Sequence, residues 1–229
     1  MPVADLLPEA DRAELEDQIR GLLARYRRSL QPDRRQILDQ FRFVDMARKV
    51  VGVGSVGTRC WIVLMEGRDD SDPLLLQVKE AQRSVLADHV GDRAGGSRMR
   101  SEGQRVVAGQ RLMQAASDIF LGWETVEGFD GRRRDFYVRQ LRDWKASAVV
   151  EEMDASTLRT YGALCGWTLA RAHARSGDRI AIAAYLGDTD AFDRALVEFA
   201  ERYADRTESD HAAMAGAVKA GRIEATTGL

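Results

Sequence analysis

The stretch VVGVGSVGTRCWIVLMEGRDDSDPLLLQVKE, residues 50–80, decides the fold prediction for this chain. Its β-branched and apolar runs are interrupted by glycines and by an Asp/Ser/Pro turn, a pattern typical of short strands joined by turns. We therefore predict three strands, over residues 50–53, 59–66 and 74–79. These strands would belong to a small, mostly antiparallel sheet.

Helical periodicity surrounds this segment on both sides. Before it, we predict two amphipathic helices, over residues 9–29 and 33–49. After it, we predict a helix over 102–116, two strands over 119–125 and 135–141, and further helices over 156–175, 180–186, 190–206 and 208–220. The sequence thus predicts an α+β fold in three parts, with N-terminal helices (1–48), a sheet with its helix (49–145) and a helical C-terminal part (146–229).

The composition argues against several classes of function. The 229 residues carry 34 basic and 36 acidic side chains, so no overall positive charge favours binding to nucleic acid or to an anionic membrane. Cys60 and Cys165 lie far apart without metal-ligand spacing, which argues against a disulfide scaffold and a structural zinc site. Because neither a secretory signal nor a run of about 18 apolar residues occurs, we expect a soluble, cytoplasmic protein.

The glycines Gly52, Gly54 and Gly57 form the motif GxGxxG, written GVGSVG here. In dinucleotide-binding proteins this motif opens a helix, whereas in kinases it joins two strands. Here the apolar run TRCWIVLM follows, which we predict to be a strand. The motif therefore favours a glycine flap whose backbone amides approach phosphate oxygens, with Ser55 at its tip. A glycine-rich hairpin without a ligand, in which Ser55 is a turn residue, is the alternative.

Lys79 ends the third predicted strand, where a kinase-like lobe keeps its phosphate-binding lysine. Only four of the 34 basic residues are lysines, so a compact ammonium group kept at this position fits a phosphate contact. Glu102, on the next helix, is the candidate carboxylate for that lysine. The alternatives are a strand-end lysine that reaches solvent and a first-turn glutamate favoured by the helix dipole. ATP with Mg²⁺ would be the expected cofactors, and residues 137–141 (YVRQL) would form an inner strand at the hinge beside the adenine.

Four runs carry a family resemblance: ARKVVGVGSVGTRCWIVLMEGRDDSDPLLLQVKEA, GQRLMQAASDIFLGW, YVRQLRDWK and LCGWTLARAHARSGD. From about residue 33 onward the chain resembles the uncharacterised bacterial DUF family numbered 2252. The resemblance implies a kinase-like or aminoglycoside-phosphotransferase-like fold, and the family name establishes no activity. It also implies longer relatives, in which segments resembling a catalytic loop and a metal-binding motif precede the glycine loop.

This chain departs from a complete kinase site. It contains no asparagine and no HxDxxxxN motif, although phosphoryl transfer in kinases uses an aspartate near the acceptor and carboxylate and asparagine ligands for Mg²⁺. We therefore predict a kinase-like module with an ATP- or phosphate-binding cleft that is not catalytically complete alone, and we assign no catalytic or metal-binding residue. The alternatives are a non-catalytic interaction or structural module and one half of a split phosphotransferase. In those cases a protein partner or a second copy would cover exposed apolar surface and the incomplete cleft.

Overall fold

A computed structural model describes residues 12–49, 57–90, 99–127, 131–141 and 147–225, with the side chains of 12–18 and 90 excepted. The predicted strand over 50–53 lies outside these ranges. The helices are α1 (Arg12–Ser29), α2 (Pro32–Leu38), α3 (Ala87–Val90), α4 (Glu102–Met113), α5 (Ala155–Ser176), α6 (Arg179–Leu186) and α7 (Ala191–Lys219). The strands are β1 (Arg42–Arg48), β2 (Cys60–Glu66), β3 (Pro73–Ala81), β4 (Gly122–Glu127) and β5 (Arg133–Gln140). The predicted α+β class is confirmed.

The five strands form one sheet in the order β1-β2-β3-β5-β4, and every neighbouring pair is antiparallel. β3 occupies the centre, and α4 follows it along the chain before β4 begins. The strands predicted over 59–66, 74–79 and 135–141 are confirmed within a few residues at their ends. Residues 137–140 belong to an inner strand, as predicted, because β5 pairs with both β3 and β4.

The helix predicted over residues 33–49 is wrong in its second half. The helix ends at Leu38, and Arg42–Arg48 forms the edge strand β1. A register shift between Phe43 and Asp45 interrupts the pairing of β1 with β2. This irregularity puts Phe43 and Met46, three residues apart, against the same core, and such spacing imitates a helix. The sheet therefore begins within the predicted N-terminal helical part, and the three-part division at residues 48 and 145 stays a prediction.

The main core lies between one face of the sheet and the helices α1 and α2. Alternate residues of the strands point to this face, so that each strand contributes an apolar row. The buried cluster contains Tyr26, Leu30, Leu38, Val63, Met65, Leu74, Leu76, Phe120 and Val138. The Tyr26 hydroxyl donates a hydrogen bond to the backbone carbonyl of Phe120 within this core, which satisfies its buried polar group.

Helix α4 packs on the opposite face, over β5 and β4. Its Gly103 approaches β5 so closely that a Cβ atom there would stand 2.3 Å from the Phe136 carbonyl oxygen. Two acceptors fix the start of the helix. Ser101 Oγ accepts from the Gln104 backbone N–H at 3.1 Å, and Asp135 Oδ2 accepts from the Glu102 N–H at 2.8 Å. These contacts fix where α4 begins and how close its backbone lies to the sheet.

The described chain divides into two compact units on either side of the boundary between Ser176 and Gly177. The first contains the sheet and helices α1 to α5, and the second contains α6 and α7. Among the described side chains of the second unit, only Ala217 is buried. The two helices of this unit therefore have almost no hydrophobic core of their own.

Candidate functional site

One row of side chains crosses four strands of the sheet. Cys60 of β2 lies opposite Lys79 of β3, Lys79 lies opposite Tyr137 of β5, and Tyr137 lies opposite Trp123 of β4. Directly paired residues project to the same face, so the row is continuous. Trp123 is in contact distance of α4, since a Cβ atom on Gly103 would stand 3.2 Å from the Trp123 Cβ. Lys79 therefore lies on the sheet face that carries α4.

Lys79 is half-buried and makes no ion pair with any acidic side chain in the part of the chain that the structure describes. Its neighbour Glu80 points to the other face, as the two-residue period of a strand requires. There the Glu80 carboxylate accepts from the Arg59 backbone N–H and pairs with the Arg59 guanidinium, both at 3.1 Å. The ammonium group of Lys79 thus keeps its hydrogen-bond donors for another acceptor.

Glu102 does not pair with Lys79, contrary to the pairing expected from the sequence. Its carboxylate pairs with Arg105, one turn later in the same helix. Arg105 also donates to the Gln82 carbonyl at 2.9 Å, which ties the start of α4 to the segment after β3. The difference has a local cause, because Glu102 is the first residue of α4 and lies beside its own i+3 arginine. A role for Glu102 in nucleotide binding stays a prediction.

The glycine motif joins the ends of β1 and β2, since the ladder between these strands continues to a hydrogen bond from the Lys49 N–H to the Cys60 carbonyl at 2.9 Å. Gly52, Gly54 and Ser55 lie outside the described residues. Gly57 lies in the turn before β2 with a φ of 79°, a conformation that favours glycine. Because Cys60 is opposite Lys79, the chain enters β2 from the glycine motif immediately beside the lysine.

Gln77 and Arg139 form a second polar pair on this face, which was not predicted from the sequence. Gln77 is the one buried polar side chain among the described residues; its amide lies 3.5 Å from Cys60 Sγ and accepts from Arg139 Nε at 3.2 Å. The signal available in the sequence is a glutamine within the apolar run LLLQVKE, two residues before Lys79. Burial raises the pKa of Tyr137 nearby, and the Arg139 guanidinium partly offsets that rise.

Comparison with known protein families shows to which family the chain belongs. Residues 4–217 match a family model described as an uncharacterised protein conserved in bacteria, DUF2252. This chain belongs to the DUF2252 family. The predicted resemblance is therefore confirmed, while the kinase-like character that it implied stays a prediction. Comparisons with curated proteins and with solved structures gave no match.

The described residues of this DUF2252 chain can be compared with the ligand clusters that hold metal ions on protein side chains alone. Among them, no group of three or more histidine, cysteine, aspartate or glutamate side chains could hold a metal ion. None of the helices in the described ranges is long and apolar enough to cross a membrane.

Proposed function

We propose that this DUF2252 chain is a kinase-like module that binds the phosphates of ATP between Lys79 and the glycine motif. One observation carries the proposal: Lys79 lies directly opposite Cys60, at the end of β2 that the glycine motif enters. In protein kinases a glycine-rich loop covers the phosphates, and a lysine on the third strand contacts them. The order of the glycine motif, the lysine strand and the following helix is the same here.

The chemistry of the proposed site is electrostatic. Lys79 would donate to phosphate oxygens, and its half-buried position strengthens such a charge-assisted contact relative to one in bulk water. Gly52, Gly54 and Gly57 would supply backbone N–H groups without side chains in the way, and Ser55 at the tip of the flap would contact a phosphate oxygen. Glu102 would enter the site by exchanging Arg105 for Lys79 when nucleotide binds.

We propose binding without phosphoryl transfer by this chain alone. The chain has no asparagine and no HxDxxxxN motif, and its described residues contain no group of three or more histidine, cysteine, aspartate or glutamate side chains that could hold a metal ion. The residues that hold phosphates in a kinase-like site are thus represented, and those that activate the acceptor are not assigned.

Isothermal titration calorimetry with Mg-ATP tests the proposal. We expect wild type to bind, and Lys79→Ala to weaken binding by about tenfold or more, because a hydrogen bond to a charged group contributes roughly 1.5–3 kcal/mol. Lys219→Ala, which removes an exposed lysine at the end of α7, is the matched control and should bind as wild type does. Absence of ATP binding by folded wild type, shown by circular dichroism, contradicts the proposal.

The second unit favours a second candidate function, a non-catalytic interaction module that self-associates. Phe192, Leu196, Phe199 and Tyr203 follow one another along α7 at intervals of four, three and four residues, the spacing of helices that pair with a like helix, and all four are exposed. Tyr185 of α6 is 81% exposed in the same unit. We propose that a second copy of this chain covers this stripe.

Light scattering after size-exclusion chromatography tests this second candidate. We expect a dimer that Leu196→Glu converts to a monomer. Val197→Glu is the matched control, since it puts the same charge at an exposed position that lies off the stripe, and it should leave the dimer intact. A wild-type protein that is monomeric at every concentration rules out self-association.

A further inference from the structure

A cavity of about 270 Å³ opens in the first unit where α2, α4 and α5 converge. Its wall includes Gln31 and Arg34 at the start of α2, Arg111 and Gln114 at the end of α4, Asp118 in the following loop and Arg175 in the last turn of α5. We call it the arginine pocket. It lies away from Lys79. It meets the row of Cys60, Lys79, Tyr137 and Trp123 only at Trp123, two strands from Lys79, and its Asp118 accepts from Gln140, three residues or about 10 Å along β5 from Tyr137.

The arginine pocket carries a net positive charge. Three guanidinium groups and the carboxylate of Asp118 line it, and Arg34 also pairs with Asp33, so one positive charge remains. Both Asp118 oxygens already accept backbone hydrogen bonds, from the Phe120 N–H at 2.8 Å and from the Gln140 N–H at 2.7 Å. Asp118 thereby orders the loop between α4 and β4 and does not form an ion pair with Arg111 or Arg175.

The donors of these arginines are only partly used. Arg111 donates to the Leu121 carbonyl and lies with its guanidinium carbon 5.8 Å from the Trp123 ring centroid. Arg175 donates to the Gln114 carbonyl, and Arg34 pairs with the adjacent Asp33 at 3.2 Å. Since a guanidinium has five N–H donors, each of the three retains several for a ligand.

The partly buried charge of Arg111 would be stabilised by a bound anion. It is half-buried, and this burial lowers its pKa, so its charge is partly removed from water. No acidic side chain among the described residues pairs with it in return. The Leu121 carbonyl and the Trp123 ring do not neutralise this charge, and an anion that bridges Arg111 to Arg175 would supply the counter-charge.

We propose that the arginine pocket is a second ligand site, which binds a small phosphate dianion, either inorganic phosphate or a compact phosphate monoester. Arg111 and Arg175 have no carboxylate partner among the described residues, whereas Arg34 pairs with Asp33. Three guanidinium groups and two carboxylates therefore leave one positive charge, which attracts a phosphate anion. Arginine forks suit phosphate oxygens geometrically as well as electrostatically. Because the three arginines come from three helices, the bound anion would tie the end of α5 to α2 and α4.

Calorimetry with sodium phosphate at constant ionic strength tests the arginine pocket. We expect one saturable site in wild type, with binding weakened by about tenfold or more in Arg175→Gln and in Arg34→Gln. Arg159→Gln, on the same helix as Arg175 but outside the pocket, is the matched control and should bind normally. Melting temperatures in phosphate-free buffer identify any variant that is destabilised, and the other variant then decides the outcome.

Two further titrations make the test specific. Lys79→Ala should bind phosphate as wild type does, so loss of phosphate binding in that variant would overturn a separate pocket whatever the outcome for ATP. Malonate, a dicarboxylate of similar size and charge, should bind more weakly than phosphate, and equal or tighter binding of malonate would overturn the phosphate class. A folded wild type without saturable phosphate binding at millimolar concentrations would overturn the site itself.

Discussion

Gly103 of α4 lies against the backbone of Phe136 in β5, so closely that a Cβ atom on residue 103 would stand 2.3 Å from the Phe136 carbonyl oxygen. Backbone atoms of a central strand cannot move aside as a flexible side chain can. Helix α4 therefore has its present height above the sheet because residue 103 has no side chain. That contact connects the helix to the strand that carries Tyr137, the residue opposite Lys79.

Gly103→Ala should consequently destabilise the protein by about 1–3 kcal/mol, the usual cost of overpacking. Gly109→Ala is the matched control in the same helix, because a Cβ atom there would meet only the end of the Met113 side chain at 4.0 Å. The higher helix propensity of alanine should make Gly109→Ala about 1 kcal/mol more stable than wild type. Urea denaturation measures both, and equal effects of the two variants would contradict the close packing of α4.

Tyr26 predicts a loss of stability in alkaline solution. Burial raises its pKa above the ordinary value of 10.0, the Asp118 carboxylate raises it further, and Arg111 opposes both. With the folded pKa raised, the unfolded chain loses the phenolic proton first. Titration of Tyr26 should therefore not change the free energy of unfolding below about pH 10 and should lower it as the pH rises above that value.

Tyr26→Phe separates this effect from the titration of other groups. At neutral pH the variant should be about 1–3 kcal/mol less stable, because the Phe120 carbonyl loses its hydrogen-bond donor. Above pH 10 its stability should fall less steeply than that of wild type. Parallel stability profiles of the two proteins between pH 9 and about pH 11 would show that Tyr26 is not buried as described.

The Asp135 carboxylate attaches the start of α4 to the sheet, and substitutions at this residue should lower the free energy of unfolding. Its carboxylate accepts from the Glu102 backbone N–H at 2.8 Å and from the Thr125 hydroxyl at 2.6 Å. Asp135→Ala removes both acceptors and should cost about 1–3 kcal/mol in the free energy of unfolding. Asp135→Asn keeps one side-chain oxygen as an acceptor and should cost less. Equal losses in the two variants, measured by urea denaturation, would assign the effect to the charge alone.

The strands of the central sheet could be predicted from the sequence because their period is local. The runs that became β2 and β3 are apolar and end at turns, and β5 shows an inner-strand pattern. The edge strand β1 could not be predicted, because the irregularity between Phe43 and Asp45 hides its two-residue period. Only the pairing with β2 reveals it, and that pairing is a tertiary contact.

Some features of the candidate sites could likewise be predicted from the sequence, and others could not. The position of Lys79 on a strand beside the glycine motif follows from the order of residues along the chain. The partner of Glu102 does not, because Arg105 competes for it within the same helix. The arginine pocket could not be predicted at all, since Arg34 and Arg175 are separated by most of the first unit and converge only through folding.

The most direct test of the proposed phosphate-binding site uses an ATP analogue with an acyl-phosphate group, which acylates a lysine held beside the phosphates. The chain has only four lysines, Lys49, Lys79, Lys145 and Lys219, so peptide mass spectrometry can compare every one of them. We expect Lys79 to be acylated fastest and excess ATP to protect it, while Lys219 reacts slowly and is not protected. Equal labelling of the four lysines, or labelling of Lys79 that ATP does not reduce, would contradict a nucleotide site at Lys79.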